Sequence, residues 1–482
     1  MELAYRKVAV SIRILKMHLF LLALLISSFV YSQKDTLRYD VSVSALTSTG
    51  TQLPFWLRSR QYDLNSALPQ SSSILLSLQQ RMNHPTRLFD YEFKANVLIQ
   101  NDNKSTGFYF HELYAKARIS VFDIILGSRE EILGNQDSTL SSGGFLFSQN
   151  ARPMPKLTIG IERFTAVPFT KGFVEIKGAI SHGWFTDNIY TNAELLHHKY
   201  AYIKLGGKLP VQLQYGLDHV VEWGGVVPDL GQQPAGFNDF ISVFFARSGG
   251  KSANISDQIN ALGNHIVSQS MRLDATVSDF QLGAYWQNLS EDGPIRLIGL
   301  GMNAKDGLWG ISIRNNKLGF LKGFVYEYLN TTDQSGPYHD KDGIIYGGND
   351  SYFYNGIYQT GWSYFLKTIG TPFILAPIKS EYSNNYYPVN NRVQVHHVGI
   401  EGDIVGYKYK FMSSFSSNYG TYSSPYVSAI ENTSMLLEVN KRFSKLANIE
   451  IGCKVGADFG QLYGNSVGCI FSIRKTGNLF NY

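Results

Sequence analysis

FDYEFKANVLIQ, residues 89–100, places apolar side chains at every odd position and, up to Asn96, polar side chains at every even position. Successive side chains of a β-strand point to opposite faces, so this stretch indicates a strand with one apolar and one polar face. Clusters of Gly, Asn, Asp, Ser and Pro indicate turns between further runs of the same kind. These runs cover residues 113–121, 157–163, 173–180, 200–205, 211–223, 271–277, 309–314, 393–396, 407–411, 436–443 and 467–473.

The residue types on the two faces distinguish a membrane barrel from a soluble sandwich, whose strands alternate as well. The polar face carries charges in the middle of predicted strands, for example Arg272 with Asp274, whereas Tyr and Trp of the apolar face lie near strand ends. An apolar outer face with aromatic girdles and a polar interior is typical of transmembrane β-barrels. The sequence therefore predicts an all-β, antiparallel transmembrane barrel, and the chain length corresponds to roughly 16–20 strands.

The composition of the 482-residue chain agrees with this interpretation. Charged residues make up 17% and aromatic residues 14%, whereas a typical soluble domain has about 25% charged residues. The formal net charge of +5 is too small to indicate a nucleic-acid partner. Two cysteines in a chain of this length exclude a disulfide scaffold.

The apolar run LFLLALLISSFV, residues 19–30, follows Arg13 and Lys16 and is followed by small residues up to Ser32. This is the layout of a secretory signal peptide, and the run is short for the alternative, an uncleaved membrane anchor. We expect residues 1–32 to be a signal peptide that is cleaved near Ser32, and residues 33–482 to form the barrel. No later apolar run of the sequence approaches the ~20 residues that a membrane-spanning helix needs.

Two stretches do not alternate. Residues 47–73 contain LPFWL at 53–57, and residues 127–155 are rich in Gly, Ser and Asn. In a barrel such segments form short helices or a plug in the lumen, and ordinary long loops are the alternative. Because long segments without regular structure are usually functional, we treat both as candidate plug segments.

The histidine pairs His197–His198 and His396–His397 do not form a metal-binding motif. Adjacent residues of a regular strand point to opposite faces, so neither pair can chelate one ion unless a β-bulge turns one ring. The sequence therefore predicts no metal site, and it contains no motif for another cofactor.

Catalytic motifs of the GxSxG or HExxH type are absent from the sequence. Asp218 and Glu222 would lie on one face of a strand, roughly 13 Å apart at ~3.3 Å per residue. An inverting glycosidase pair is separated by only ~6.5–9.5 Å. We therefore do not expect an enzyme.

Cys453 and Cys469 lie on the apolar parity of the last two predicted strands. If the turn between the strands centres on Gln461, the two residues face each other directly. The Cα spacing of such a pair, ~4.5–5.5 Å, permits a disulfide. Two free thiols facing the lipid are the alternative.

Several stretches, taken together with their order and spacing, resemble the Wzi-type capsule assembly proteins of Bacteroidetes-like bacteria. They are LPFWLRSRQYD (53–63), ELYAKARISVFDIILGSREEILG (112–134), NARPMPKLTIGIERFTAVPFTKGFVEIKGAISHGWF (150–185), LLHHKYAYIKLGGKLPVQLQYGLDHVVEWGG (195–225), GNHIVSQSMRL (263–273), YWQNLSEDG (285–293), YNGIYQTGWSYFLKTIGTPF (354–373) and NNRVQVHHVGIEGD (390–403). The resemblance implies an outer-membrane barrel of about 18 strands, a small helical element on the periplasmic side and long external loops that close the pore.

The resemblance also implies a lectin-like, non-enzymatic protein that binds or organises capsular or other surface polysaccharide. Surface polysaccharide, outer-membrane lipid and the barrel-assembly machinery are then the expected partners, and we expect a monomer. A diffusion porin or solute-uptake channel is the alternative function, and an outer-membrane hydrolase is a further one.

Sugar rings stack on aromatic side chains, and sugar hydroxyls form hydrogen bonds with charged side chains. The candidate glycan-binding residues are Trp56, Trp223, Glu222, Arg163 and Lys171. For Trp223 the alternative is a girdle position at the membrane interface.

The strand parity also predicts a set of inward charges. These are Glu175, Lys177, Asp218, Arg272, Asp274, Arg314, Glu327, Arg392, Lys408, Lys410, Glu438 and Arg442. Both signs occur, as expected for a closed lumen in which shielded charges must pair. A selective pore would be biased toward one sign.

Overall fold

The alternating runs of the sequence become one continuous sheet in the computed structural model, which describes residues 37–82, 88–102, 104–291, 305–315, 317–335, 350–444 and 448–479. Within these residues the sheet has 18 strands. They are β1 (Arg38–Ser48), β2 (Gln70–Gln80), β3 (Phe89–Asp102), β4 (Thr106–Ile119), β5 (Phe122–Ser128), β6 (Pro155–Ala166), β7 (Val174–Trp184), β8 (Leu195–Leu205), β9 (Val211–Trp223), β10 (Asn264–Val277), β11 (Phe280–Ser290), β12 (Gly307–Asn315), β13 (Gly323–Asn330), β14 (Val393–Ile404), β15 (Tyr407–Gly420), β16 (Pro425–Phe443), β17 (Ile449–Gly460) and β18 (Ser466–Asn478). The predicted signal peptide, residues 1–32, lies outside the described residues.

The sheet closes on itself. Each strand pairs antiparallel with the next strand along the chain, and β1 pairs with β18, from Arg38 opposite Asn478 to Ser48 opposite Gly468. A closed sheet has no edge strand and so satisfies its backbone hydrogen bonds internally, which a sheet in a bilayer must do. The predicted fold class, an antiparallel barrel of about 18 strands, is confirmed.

The outer surface of the barrel wall is apolar. Large apolar side chains that point away from the lumen and are exposed occur on strands all around the barrel. Examples are Val43, Ile74, Phe110, Ile159, Ile180, Leu213, Leu273, Ile311, Leu437, Val455 and Phe471. Such a surface favours contact with lipid hydrocarbon, because removing apolar surface from water is favourable in free energy.

The two ends of the barrel differ in the length of their connections. At the end that holds the chain termini, the connections between strands run over at most eight residues. At the other end they include residues 49–69, 129–154, 224–263 and 331–392. Outer-membrane barrels have short periplasmic turns and longer external loops. We therefore call the end with long connections the outer end and the opposite one the inner end.

The described helices are α1 (Phe55–Arg58), α2 (Phe237–Phe244) and α3 (Ile255–Ile259), and all three belong to outer-end connections. The prediction of a helical element on the periplasmic side is therefore wrong for the described residues, whose helices lie at the outer end. The connections 49–69 and 224–263, which contain the three helices, are long enough to fold back and pack helices against the wall. None of the helices among the described residues is long and apolar enough to span a bilayer.

Candidate functional site

The outer half of the lumen is filled by three outer-end segments, residues 49–69, 129–154 and 350–376, which we call the plug. Their apolar side chains form one buried cluster with inward residues of the wall. The cluster contains, from the plug, Leu53, Phe55, Trp56, Leu57, Phe145, Leu146, Tyr352, Phe353, Trp362 and Phe373. Burial of so much aromatic surface holds the three segments inside the barrel.

The first plug segment packs closely on the wall through helix α1. Its floor is the cross-strand pair Gly456 and Gly468 of β17 and β18. A Cβ atom on Gly456 would lie 2.7 Å from Leu57, and one on Gly468 would lie 2.8 Å from Pro54. The backbone amide of Phe55 also donates a hydrogen bond of 2.8 Å to Oδ2 of Asp458. The helix is therefore held by both close packing and a charge-assisted hydrogen bond.

The backbone of the second plug segment is hydrogen-bonded to inward side chains of the wall, for example at Leu140, Ser142 and Phe145. The amide of Ser142 donates to Glu327 Oε2 at 2.6 Å, and the amide of Phe145 donates to Gln287 Oε1 at 2.7 Å. His397 Nε2 donates to the Leu140 carbonyl at 2.8 Å. Buried backbone groups must find such partners when they leave water, so these bonds help to define the position of the segment.

Charged side chains form ion pairs along the inner face of the wall, within a strand or between nearby strands, and between the wall and the plug. The pairs are Lys94–Glu112, Lys116–Glu162, Glu175–Lys204, Arg272–Asp274, Arg314–Asp137, Arg314–Glu401, Lys410–Glu438, Lys454–Glu438 and Arg442–Glu450. Asp137 belongs to the plug, so Arg314 links plug and wall. Pairing offsets the cost of removing these charges from bulk water.

The remaining predicted inward charges have other partners or other positions. Asp218 accepts a hydrogen bond from the Tyr202 hydroxyl, Glu327 accepts one of 2.6 Å from Tyr285, and the Lys177 ammonium lies 4.4 Å from the centre of the Tyr202 ring. The Arg392 guanidinium lies 4.0 Å from the centre of the Tyr422 ring. Lys408 has the same strand parity as Lys410 and so faces inward, but it lies at the start of β15 beside the inner-end turn, where its side chain is exposed.

Glu131, in the plug, binds two basic groups. Lys156 of β6 forms an ion pair with Glu131 Oε2, and Arg129 Nη2 lies 3.1 Å from Oε1. Burial on its own raises the pKa of the Glu131 carboxyl, but the attraction to Lys156 and Arg129 outweighs this and lowers the pKa to about 2. The carboxylate therefore remains charged throughout the physiological range and ties the plug to β6.

Trp56, Trp223 and Glu222 are not available for sugar stacking in this structure, which corrects their assignment as direct contacts. Their exposed fractions are 1%, 2% and 1%. Trp56 lies in the plug, and Glu222 accepts a hydrogen bond of 2.7 Å from Asn264. Trp223 points outward but is covered by the connection 224–263, in which Phe240 packs against it, so it is not a lipid-facing girdle residue either.

Arg163 and Lys171 are exposed but lie at the wrong end for an external glycan. Arg163 lies within the irregular stretch of β6 between Ile161 and Thr165, close to the inner end. Lys171 lies in the inner-end connection 167–173. Because the inner end faces the periplasm, Arg163 and Lys171 are too far from the outer surface to contact an external glycan, and their assignment as glycan-binding residues is wrong.

The histidine pairs point to opposite faces of the wall, as expected from strand geometry. His396 lies on the outer surface, with Nδ1 2.8 Å from the Tyr326 hydroxyl, whereas His397 points into the lumen. In the other pair, His197 packs outside the wall against Phe240, and His198 lies inside near Asp218. Among the described residues, no group of three or more His, Cys, Asp or Glu is placed to hold a metal ion.

The direct opposition of Cys453 and Cys469 is wrong. Cys453 lies opposite Phe471, and Cys469 lies opposite Val455, so the two cysteines are diagonal neighbours on the outer face. Both are free, with the sulfur atoms 3.7 Å apart. This register centres the turn one residue beyond Gln461, and Tyr463 of the turn stacks on Phe55 of the plug with 5.2 Å between ring centres.

Below the plug, the inner half of the lumen contains a polar cavity of about 990 Å³. Gln61 and Asn65 of the plug form its roof, and charged residues such as Arg38, Asp40 and Lys454 line its wall. The cavity has groups of both signs, including the ion pair of Arg474 with Asp40. It lies on the inner side of the plug, away from the external surface.

At the outer end, the strand pair Ile378–Lys379 and Tyr386–Tyr387 forms a small hairpin that sequence reasoning missed. Its tip carries Tyr382, which is 97% exposed. The base is fixed, because Tyr354 donates to the Tyr386 carbonyl at 3.1 Å and the Tyr386 amide donates to Gln359 at 3.0 Å. The signal was present in SEYSNNYYP, residues 380–388, where aromatic residues flank a turn sequence.

Comparison with known proteins agrees with the barrel. The pattern of the family Capsule assembly protein Wzi matches residues 77–376. The structure is similar to Escherichia coli Wzi, described as an outer-membrane protein involved in group 1 capsule assembly and a carbohydrate-binding β-barrel. The identity is 12% and the TM-score 0.56, over 92% of this chain and 84% of that one.

It is also similar to Pseudomonas aeruginosa OccK5 (OpdH), with 8% identity and a TM-score of 0.51, over 92% of this chain and 98% of that chain. No curated protein matches the sequence. At such identities the structural likeness concerns the fold, whereas the match over residues 77–376 covers more than half of the sequence and concerns ancestry. The chain belongs to the Wzi family of capsule assembly proteins and is an outer-membrane β-barrel.

Proposed function

We propose that this member of the Wzi family binds capsular or other surface polysaccharide at its outer end, as a lectin-like and non-enzymatic protein. The observation that carries the proposal is the plug: its apolar core and its ion pairs to the wall occupy the outer half of the lumen. A long polysaccharide outside the cell then meets the outer-end connections and not the polar cavity below. The description of Escherichia coli Wzi as carbohydrate-binding is in agreement.

The hairpin that carries Tyr382 is our candidate for the sugar contact. An exposed tyrosine offers an apolar ring face for the C–H surface of a pyranose and a hydroxyl for a hydrogen bond. Asn384 and Asn385 are exposed beside it, and their amides can donate to and accept from sugar hydroxyls. The fixed base of the hairpin reduces the entropy that binding would cost. In this proposal Trp56 and Trp223 support the outer end from beneath.

The test compares polysaccharide retention by cells that lack the gene and carry the wild type, Tyr382→Ala or Tyr407→Ala. Tyr407 is a matched control, because it is 49% exposed but lies beside the inner-end turn. We expect Tyr382→Ala cells to release more polysaccharide into the medium at equal amounts of folded barrel, and Tyr407→Ala cells to retain it. Equal retention by all three would contradict the assignment of the hairpin.

A diffusion porin is the second candidate, favoured by the polar cavity of about 990 Å³ and by the fold shared with OccK5. Planar-bilayer recording separates the two. A plugged barrel should give no large, steady openings, and their presence in the wild type would favour transport. Assays of purified protein against lipids and glycans test the hydrolase alternative.

We further propose that the protein is a monomer, that its apolar surface contacts outer-membrane lipid, and that the barrel-assembly machinery inserts it. Light scattering of the purified protein in detergent tests the first point, since a dimer would double the protein mass.

A further inference from the structure

A row of residues across five neighbouring strands of the outer wall contains one cation. The cross-strand partners are Ile159 with Ile180, Ile180 with Lys199, Lys199 with His219, and His219 with Val267. Ile159 and Ile180 are exposed on the outer, lipid-facing surface. Lys199 therefore lies on the membrane side of the barrel, where a charged residue is costly and usually has a function.

The next row toward the inner end contains small residues. Gly178 lies opposite Ala201, and Ala201 lies opposite Leu217. A Cβ atom on Gly178 would lie 2.8 Å from the Tyr200 carbonyl oxygen, so the position requires glycine. The missing side chains leave a depression in the wall, which α2 and the residues after it border with Phe244 and Phe245.

The result is a groove of about 700 Å³ on the outside of the barrel. Apart from Lys199 and His219, its lining is almost entirely aliphatic or aromatic side chains, glycine and alanine. An apolar groove that faces the hydrocarbon of a bilayer accommodates a hydrocarbon chain better than a polar partner.

Lys199 supplies the polar feature at the edge of the groove. Its ammonium donates a hydrogen bond to the Phe244 carbonyl and lies 4.2 Å from the centre of the Phe244 ring. An ammonium has three N–H donors, so donors remain for another acceptor. None of the ion pairs formed by the described residues involves Lys199. A cation with free donors beside an apolar groove is complementary to an anion that is attached to a hydrocarbon chain.

We propose that this groove binds an acyl chain of a phosphate-bearing lipid of the outer membrane, with the lipid phosphate at Nζ of Lys199. The position beneath α2, which belongs to an outer-end connection, places the phosphate toward the outer leaflet. The site rests on the outer-membrane position of the barrel and is independent of glycan binding. A lipid bound in the groove would contact both the wall and the end of α2, and so would add to the hydrogen bond by which Lys199 holds α2.

The experiment uses native mass spectrometry of the full-length barrel in detergent, titrated with phosphatidic acid or with diacylglycerol of the same chains. The two probes differ only in the phosphate. We expect the wild type to bind phosphatidic acid about tenfold more tightly, because a charge-assisted hydrogen bond contributes about that factor. Lys199→Gln should lose this preference, and Lys199→Arg should keep it. An equal preference in the wild type and Lys199→Gln would overturn the proposal.

This preference distinguishes lipid binding from a purely structural role of Lys199 as a cap for α2. Loss of a cap would loosen the helix but would not change the ratio between the two probes. Heat-dependent migration in detergent gels verifies that each variant is a folded barrel.

Filling the groove is the second test. Ala201→Phe, or the smaller Ala201→Leu if the first fails to fold, should weaken the binding of both probes at least tenfold. Ala284 is the matched control, because it is also exposed on the outer face, on β11 between Leu273 and Ile311. Ala284→Phe should bind as the wild type does. Unchanged binding by a folded Ala201 variant would overturn the proposal.

Discussion

His396 and His397 are neighbours in the chain, yet the barrel wall separates their side chains. His396 meets the Tyr326 hydroxyl on the outer surface, whereas His397 donates to the Leu140 carbonyl of the plug and lies 2.7 Å from the Ser414 hydroxyl. One peptide unit therefore separates a lipid-side contact from a plug contact, and the two residues should respond differently to substitution.

His397→Ala should lower the free energy of unfolding by about 1–3 kcal/mol, because the Leu140 carbonyl loses its donor in a buried place. His396→Ala, on the outer surface, should change it by about 0.5 kcal/mol or less. Urea unfolding of both variants in the same detergent measures the difference. Equal losses would show that His397 does not anchor the plug.

Glu131→Gln should destabilise the barrel by about 3–5 kcal/mol at neutral pH, since Lys156 would be left buried without its partner. The pKa of Glu131 is lowered to about 2 from the ordinary value of 4.5, so its contribution to stability is complete above pH 4.5 and disappears as the pH falls toward 2. Urea unfolding should therefore show a difference between variant and wild type that shrinks in acid.

The matched control for Glu131 is Asp279→Asn, which removes the exposed ion pair with Lys317. It should cost at most about 1 kcal/mol. Planar-bilayer recording adds a functional readout, because a loosened plug should give more frequent openings with Glu131→Gln than with Asp279→Asn. A pH-independent difference in unfolding would contradict the assigned ion pairs.

Asp306 predicts a pH dependence of opposite sign. Burial raises its pKa to about 6, although the backbone amides of Gln334 and Asp333 donate to it at 2.7 and 2.9 Å. The folded state then holds the proton more tightly than the unfolded state, so stability from this group is complete below about pH 4 and is lost as the pH rises through 6. Relative to Asp306→Asn, the wild type should lose up to about 3 kcal/mol over this range. If the difference between the urea midpoints of the two proteins does not change with pH, this prediction is wrong.

Trp223→Ala should release the connection 224–263 without opening the barrel. The indole packs against Phe240 and lies in the cluster with Val243 of α2, so truncation should lower the local unfolding free energy by about 3 kcal/mol. Hydrogen exchange of the α2 amides should become about 100-fold faster. Trp184→Ala, which removes a partly exposed indole, should leave the α2 amides protected. Loss of the folded barrel would instead show that the Trp223 side chain is needed for the barrel to fold and does not only hold the connection 224–263.

The predictable part of the site is the part that depends on strand parity. Asp218, Arg272 and Glu327 were placed inward from alternation alone, and each lies in the lumen with a partner. The ion-pair and hydrogen-bond partners of such inward residues were predictable only where the partner also lies on a strand. Asp137 and Glu131 were missed because they belong to a non-alternating segment, where parity carries no information.

Tertiary contacts also decided the positions that local patterns left open. Trp56 and Trp223 look alike in the sequence, since each lies beside Pro or Gly in a motif, but one packs inside the barrel and the other outside it. Cys453 and Cys469 are diagonal and not directly opposite because the turn between their strands centres one residue later than local turn residues suggested, and Tyr463 of this turn packs on Phe55 from the first part of the chain.

The sequence by itself determined the strands, their apolar and polar faces, the closed antiparallel barrel and the family. These follow from a two-residue backbone period and from local turn residues, which every strand displays along its own length. Only the tertiary structure decided which connections enter the lumen, which cover the outer wall and which aromatic residue remains exposed at the outer end. Those outcomes depend on apolar surfaces that exist only after strands distant in the chain have closed the wall, because a connection buries its side chains against whatever surface closure provides.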